Sequence, residues 1–461
     1  MSDPWFPDYV AQWYDAFSEG LFDQYIPTWQ AHSQWVINSL LPKFTSTPHS
    51  AAFELNEFVS KSTIYSLDER RYIALRVASE VFREMGFRRI KRYGGAEWEA
   101  IRDHWWETGN LLRSGRGYLL PKEPLHHEWA WTHYPGTHTI ESYFRDFVRW
   151  TPDDNPNYTV KVSIIPSGFP ASREINDHLR IAVVPLVASV SDFDITFGGA
   201  ATGVPNFSMS LKDDAAIESA ALKALDESAN NECDIVLFPE LCLTPKIQER
   251  LRMRLISLGD RPWLVVAGSA RTPVSGGADP KHHNQALVFD DSGTQRLAHH
   301  KQHPYSMSTD EEKRYALLAD FGYVKRIEDM EVSPREIEII DTDVGRLAVL
   351  ICEDISVEDF VKPLVVKFGL DWLFVPVLDG CQMKHRWTAK FGGKYADYGA
   401  CVVVATSLSL AQEHLVSLGA ASGPPGVGTV VIPALWPDPV KILKSDKHDT
   451  PEHIDLPCTS D

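Results

Sequence analysis

The chain has 461 residues, a hydrophobic content of 44% and a formal net charge of -18. Its length predicts two domains, and its apolar content is ample for a packed core. The excess of acidic residues argues against nucleic acid or an anionic membrane as a partner, because contacts to phosphate groups need clustered lysine and arginine.

The amino terminus and the cysteines indicate a reducing, cytoplasmic setting. The first residues, MSDPWFPDYV, contain no basic segment and do not resemble a secretory signal. No apolar run approaches the length that spans a bilayer. The six cysteines are scattered without a Cys-x-x-Cys pair, so the sequence predicts neither a zinc site nor a disulfide framework.

Residues 1–175 differ from the rest, since they hold 10 of the 14 tryptophans. The pattern predicts a mainly helical region. Ser66 and Glu69 resemble a capping box, and further helices are predicted at 96–112 and 140–150. A short strand is predicted at 158–165. Such aromatic density is typical of a helical core or of an interface for another subunit.

A histidine-rich segment, HHEWAWTHYPGTH, invites a metal-binding interpretation through His126, His127, His133 and His138 with Glu128. However, the spacing matches no zinc pattern, and the alternating tryptophans favour a partly buried strand. We therefore predict no metal here, and no cofactor elsewhere.

From residue 179 onwards, apolar strands alternate with amphipathic helices. Strands are predicted at 179–187, 234–240, 263–270, 285–289, 337–343, 346–354, 371–377, 401–407 and 429–433, with a further strand that ends near Lys301. Helices are predicted at 213–228, 245–258, 310–319, 358–368 and 384–398. This alternation predicts an α/β layer architecture, and the hairpins predict mixed sheets.

Three of the predicted strands end in chemically capable residues, Glu240, Lys301 and Cys352. Each residue alone has a structural interpretation, because cysteine often fills a core and strand-end charges are usually solvated. In this order, however, they resemble the catalytic set of the nitrilase, or carbon-nitrogen hydrolase, superfamily.

The resemblance extends to the segments DIVLFPE, HHKQH and GRLAVLICEDI and covers about residues 179–433. It implies that residues 176–461 form a four-layer αββα sandwich of the nitrilase type, preceded by the mainly helical region of unknown role. It also implies a homodimer or higher homo-oligomer, whose interface includes the helix after the nucleophile.

The chemistry explains why these residue types occur together. The Cys352 thiolate attacks an electrophilic carbon, and Glu240 accepts the thiol proton and later activates water. Lys301 stabilises the anion that develops on the attacked group, and a nearby lysine is also expected to lower the pKa of the cysteine.

Several neighbouring positions are further candidates. The family carries a second, substrate-positioning glutamate between the lysine and the cysteine, for which Glu311 and Glu312 are candidates and Asp310 is a third. Glu353 stands where the family usually has an aromatic residue, and we expect it to shape the substrate pocket or to pair with a basic side chain. Asp354 is expected to cap the following turn.

The resulting prediction is a thiol-dependent hydrolase that cleaves a small linear amide or carbamoyl compound through a cysteine thioester and releases ammonia. Alternatives are nitrile hydrolysis, acyl transfer to an amine, and a non-catalytic scaffold or sensor within a larger assembly, such as a bacterial defence system. The sequence does not separate these functions, because selectivity depends on the shape of the pocket.

Overall fold

The computed structural model describes residues 13, 48–63, 65–84, 118–121, 147–150, 157–164, 178–199, 205–212, 215–259, 262–274, 281–308, 325–342, 345–419, 423–433 and 438–457. The helices predicted at 96–112 and 310–319 lie outside these ranges. None of the described helices is long and apolar enough to cross a membrane.

Two helices of the amino-terminal region, α1 (Pro48–Lys61) and α2 (Leu67–Glu84), pack against each other. The predicted capping box at the start of α2 is confirmed. The Ser66 amide donates to Glu69 Oε2 at 2.9 Å, and the Glu69 amide donates to Ser66 Oγ at 3.3 Å. The two bonds satisfy amides that the first helical turn leaves without an intrahelical partner.

The prediction of a helix at 140–150 is wrong at its carboxyl end. Strand β2 (Phe147–Trp150) pairs antiparallel with β1 (Tyr118–Pro121). The segment Phe-Val-Arg-Trp is rich in residues that favour strands, and a partner strand distant in the chain decides the outcome.

The first large sheet has six strands in the order β10-β9-β8-β7-β4-β19. They are β4 (His178–Val183), β7 (Ile235–Leu237), β8 (Leu264–Pro273), β9 (His282–Asp290), β10 (Gln295–His300) and β19 (Glu452–Pro457). The strands β4, β7 and β8 are parallel, and β9 is antiparallel to β8 and to β10. The carboxyl ends of β7, β8 and β10 therefore lie at one edge of the sheet.

The second large sheet has seven strands in the order β18-β17-β16-β15-β14-β13-β3. They are β3 (Thr159–Ile164), β13 (Glu336–Thr342), β14 (Gly345–Val349), β15 (Trp372–Pro376), β16 (Cys401–Ala405), β17 (Gly426–Val431) and β18 (Val440–Lys444). Strands β14, β15 and β16 are parallel. The predicted strand at 158–165 is confirmed as β3, which pairs with β13 at the sheet edge. The strands β18 and β19 follow the segment at 429–433, which the sequence predicts to be the last strand.

A smaller sheet was not expected from the sequence. Its order is β11-β12-β6-β5, with β5 (Phe193–Gly199), β6 (Pro205–Leu211), β11 (Ser306–Met307) and β12 (Arg326–Glu328). The pairing of β12 with β6 brings together segments that are distant in the sequence. This sheet contributes several walls of the candidate site.

The two large sheets pack against each other through a common hydrophobic core. In β7, Ile235 and Leu237 belong to this shared core, whereas Val236 belongs to a second cluster on the opposite face. Successive side chains of a strand point to opposite faces, so a buried strand needs an apolar partner on both sides.

Helices supply the remaining apolar partners. On the first sheet, α3 (Ala215–Asn230) and α4 (Pro245–Leu258) form the second cluster together with residues such as Val236. On the second sheet, α5 (Glu358–Phe368) and α6 (Trp387–Ala396) pack into the shared core, and α7 (Leu408–Ser417) contacts β17. The predicted mixed α/β fold is confirmed.

Candidate active site

Glu240, Lys301 and Cys352 all line one cavity of about 590 Å³. They follow β7, β10 and β14, respectively, so both large sheets contribute to the site. Ligand sites of α/β proteins commonly lie beyond the carboxyl ends of the strands. The structure thus brings together the three residues that the sequence singles out.

Lys301 is held between two carboxylates. Its Nζ lies 2.8 Å from Glu240 Oε1 and 2.6 Å from Glu328 Oε2, and the lysine is only 1% exposed. Burial opposes its positive charge, but the attraction of Glu240 and Glu328 outweighs burial and raises the pKa of Lys301 well above its ordinary value. Lys301 is therefore a fixed cation at the base of the cavity.

Three donors orient the Glu240 carboxylate. Asn284 Nδ2 and Lys301 Nζ each donate to Oε1 at 2.8 Å, and the Leu378 amide donates to Oε2 at 2.8 Å. Burial raises the pKa of Glu240, and Lys301 offsets only part of that rise. A carboxylate with a raised pKa is a better proton acceptor than an ordinary surface glutamate.

Glu328 is the residue that sequence reasoning missed. Its carboxylate accepts hydrogen bonds from Lys301 Nζ, from Asn284 Nδ2 at 3.2 Å and from the Tyr305 amide at 3.0 Å. It ends the short strand β12, whose Arg-Ile-Glu sequence has no recognisable strand period. The only feature of the sequence that could have identified Glu328 was its position between the lysine and cysteine segments, where the family carries its second glutamate.

The predicted candidates for a second glutamate, Glu311 and Glu312, lie outside the described residues, as does Asp310. The histidines at 126, 127, 133 and 138 also lie outside them. Within the described ranges, no group of three or more His, Cys, Asp or Glu side chains has an arrangement that would hold a metal ion.

The backbone at the candidate nucleophile is strained. Cys352 has a φ of 48°, in the left-handed region, where the strand β14 passes into a 3₁₀ turn (Cys352–Ser356). Left-handed backbone costs a non-glycine residue about 1–2 kcal/mol. Leu241, which directly follows Glu240 and also lines the cavity, has a φ of 52°. Strain of this kind concentrates at functional sites.

Lys301 lowers the pKa of Cys352, as expected from the sequence, but other effects outweigh it. Burial raises the pKa of the Cys352 thiol, Glu240 raises it further, and the opposing effect of Lys301 is smaller. The pKa therefore lies well above the ordinary cysteine value, because Cys352 is only 5% exposed. Such a thiol needs a base to become a nucleophile.

The cavity walls are largely apolar and include side chains of the small sheet and of α6. The small sheet contributes Phe207, Met209 and Met307, and α6 contributes Trp387 and Phe391. An apolar lining with few polar groups is typical of small-molecule sites.

The polar lining includes Glu353, Asp379 and Arg386. The Asp379 carboxylate pairs with Arg386 and accepts a 2.9 Å hydrogen bond from Trp387 Nε1. Glu353 Oε1 accepts from Ser356 Oγ at 2.7 Å. Glu353, which stands where the family usually has an aromatic residue, thus adds a carboxylate to the cavity.

Asp354 accepts backbone hydrogen bonds from two loops. Its fully buried carboxylate accepts from the amides of Gln302 and His303 at 3.0 and 2.9 Å and from the Ile351 amide at 3.1 Å. The last bond caps the turn that carries the candidate nucleophile, which is the structural role expected for Asp354.

Residues 208–367 match the carbon-nitrogen hydrolase family. The match confirms the resemblance expected from the sequence, and residues 1–207 lie outside it. No curated protein matches the chain.

Solved structures with similarity to the chain include an amidase from Nesterenkonia sp. and the NitFhit protein of C. elegans. The amidase is 16% identical, with a TM-score of 0.39 over 61% of this chain and 91% of the amidase chain. A mutant of the amidase from Nesterenkonia sp. AN1 in complex with butyramide gives the same values. NitFhit is 16% identical, with a TM-score of 0.40 over 61% of each chain.

Proposed function

We propose that the protein is a thiol-dependent hydrolase that cleaves a linear amide or carbamoyl compound and releases ammonia. The main observation that supports this proposal is that Lys301 forms ion pairs with both Glu240 and Glu328 in the cavity that Cys352 lines. A fixed cation, a buried carboxylate base and a thiol are the three components that attack on an amide carbon requires.

In the first half of the reaction, Glu240 accepts the Cys352 proton as Sγ bonds to the substrate carbon. The carbonyl oxygen becomes an anion, which Lys301 stabilises together with a backbone amide after the nucleophile. Collapse of this intermediate breaks the carbon–nitrogen bond. Glu240 returns the proton to the leaving nitrogen, ammonia departs, and a thioester remains on Cys352.

In the second half, Glu240 removes a proton from water as the water oxygen attacks the thioester carbon. The carbon–sulfur bond then breaks, the proton returns to the Cys352 sulfur, and the carboxylic acid departs. Glu328 serves as the second glutamate in this proposal. It holds Lys301 in place and remains close enough to orient the substrate nitrogen.

Two expectations from the sequence belong to the same proposal. The first is the four-layer αββα sandwich, which is supported by the core shared between the large sheets and by the helices packed on each sheet. The second is a homodimer or higher homo-oligomer that uses α5 and α6, for which a mass measurement in solution is the test.

A panel of linear amides, carbamoyl compounds and nitriles tests the proposed reaction. We expect ammonia release to be fastest with an amide or carbamoyl compound, and we expect mass spectrometry of acid-quenched reactions to find the acyl group on the Cys352 peptide. Faster turnover of nitriles would favour the alternative activity. No turnover, together with equal iodoacetamide labelling of all six cysteines, would favour a non-catalytic scaffold.

Glu353 is proposed to select substrates by charge. In the described part of the cavity, Lys301 and Arg386 are already paired with carboxylates, whereas the Glu353 carboxylate accepts a hydrogen bond from the neutral hydroxyl of Ser356. A positively charged substrate group would therefore be favoured beside Glu353. We expect Glu353→Gln to lower kcat/KM for an ω-amino amide roughly 3- to 10-fold, with little change for the neutral amide of equal length.

The matched control is Glu358→Gln, because Glu358 is an exposed carboxylate on α5 that pairs with Lys394. Its kinetics should equal those of the wild type with both amides. Equal losses for the charged and the neutral amide in Glu353→Gln would contradict selection by charge.

A further inference from the structure

The Asp354 carboxylate connects the two loops that carry the lysine and the nucleophile. On one side, the carboxylate accepts hydrogen bonds from the amides of Gln302 and His303, the two residues that follow Lys301. On the other side, it accepts a hydrogen bond from the amide of Ile351, the residue before the nucleophile. A displacement of this carboxylate therefore moves both loops.

Two histidine side chains also form hydrogen bonds with the Asp354 carboxylate. His299 Nε2 lies 3.1 Å from Oδ2, and His303 Nδ1 lies 2.9 Å from Oδ1. Burial opposes ionisation, but the hydrogen bonds from His299 and His303 outweigh it and lower the pKa of Asp354 to about 2. An ionised carboxylate only accepts, so each of these ring nitrogens must carry a hydrogen.

The other ring nitrogen of His303, Nε2, faces Tyr158. The Tyr158 hydroxyl lies 3.0 Å from it. Burial raises the pKa of Tyr158, so the hydroxyl retains its proton and hydrogen-bonds to His303 as a neutral group. A continuous chain of hydrogen bonds therefore runs from Tyr158 through His303 to Asp354.

The Tyr158 ring is itself well anchored. It packs on Phe360 of α5 with a centroid distance of 4.6 Å, and the Arg335 guanidinium lies 5.7 Å from its centroid. His303 also contacts Phe360, at 5.0 Å. Tyr158 directly precedes β3, in a part of the chain that lies before the family match.

We propose that Tyr158, His303 and Asp354 are positioning residues for the reaction, which fix the nucleophile turn relative to the lysine loop. The segment before residue 175 is then part of the working enzyme. This inference rests on the proposed function. The three residues act through backbone placement and do not touch the substrate.

The test uses variants of the full chain that spare Asp354, whose replacement risks misfolding. Tyr158→Phe removes one hydroxyl and keeps the ring, and we expect kcat to fall roughly 3- to 10-fold with KM unchanged. His303→Ala should lower kcat roughly 10- to 100-fold, as losses of supporting hydrogen bonds commonly do. His303→Asn keeps a donor near the position of Nδ1 and should recover most of the loss.

A second readout separates positioning from a merely structural role. The rate of Cys352 alkylation by iodoacetamide should fall in Tyr158→Phe and His303→Ala in parallel with kcat, while the thermal midpoint of Tyr158→Phe stays near that of the wild type. Tyr398→Phe, at a half-buried tyrosine after α6, is the matched control and should retain both rates.

The proposal is overturned if Tyr158→Phe and His303→Ala keep kcat and the alkylation rate within twofold of the wild type. It is also overturned if His303→Asn is as slow as His303→Ala. Failure of the proposed function looks different, because the wild type would then release no ammonia from any amide. The alkylation rates at Cys352 would still test the positioning role.

Discussion

Cys352→Ala abolishes ammonia release from every amide that the wild-type chain hydrolyses, with an expected loss in kcat on the order of 10⁴-fold or more. Alanine retains Cβ but has no group that forms a thioester. Because Glu240 and Lys301 keep their contacts, substrate binding should persist while turnover stops. The measurement is ammonia release under saturating substrate, together with an equilibrium binding titration.

The control for this prediction is Cys233→Ala. Cys233 is buried in the cluster between the first sheet and its helices and does not line the cavity. It should retain wild-type kcat. A Cys352→Ala protein that keeps more than a tenth of the wild-type rate would exclude Cys352 as the nucleophile.

Lys301→Met should lower both activity and stability. It removes the cation that stabilises the developing anion, a change that commonly costs about 10²- to 10³-fold in kcat. It also leaves Glu240 and Glu328 buried without their counter-charge. Breaking a buried ion pair by removing one partner costs about 3–5 kcal/mol of unfolding free energy. Urea denaturation at neutral pH measures this loss.

The stability loss in Lys301→Met should depend on pH. Without Lys301, burial and the nearby Glu328 charge raise the pKa of Glu240 in the folded state further above that in the unfolded state. A carboxyl group of this kind stabilises the fold at low pH and loses that contribution as pH rises through its folded pKa. The deficit relative to wild type should therefore be smaller at pH 5 than at pH 8.

Two variants control this prediction. Lys223→Met removes an exposed lysine that pairs with Asp449 and should change neither activity nor the pH profile of stability. Adding Glu328→Gln to Lys301→Met should recover part of the lost stability, because only one buried carboxylate then remains. A deficit that is equal at both pH values would contradict the assigned charge pairing.

Local sequence was sufficient for the elements whose signals are short-range. The capping box of Ser66 and Glu69 is a contact between residues three positions apart, so it is readable without tertiary structure. The apolar strand before Cys352 and the Pro245 start of α4 are equally local. Glu240 and Lys301 were recognisable as candidates because their segments, DIVLFPE and HHKQH, precede GRLAVLICEDI in the order that the nitrilase superfamily shows.

The pairing of strands that lie far apart in the chain could not be predicted from local sequence. Glu328 reaches Lys301 because the three-residue strand β12 pairs with β6, and β12 itself has no clear local pattern. The segment at Phe147–Trp150 becomes a strand because of its partner at 118–121. In both cases a contact between residues far apart in the chain outweighs local propensity.

The sequence by itself determined the chemical groups of the candidate site and their order, because the segments around Glu240, Lys301 and Cys352 resemble, in this order, the catalytic motifs of the nitrilase superfamily. Only the tertiary structure decided the pKa values of these groups and the hydrogen bonds that hold their loops in place. Burial reverses the expected direction of the pKa shift at Cys352, and folding brings Tyr158 to His303. Desolvation and long-range hydrogen bonds exist only after the chain has closed around the site, so no local pattern encodes them.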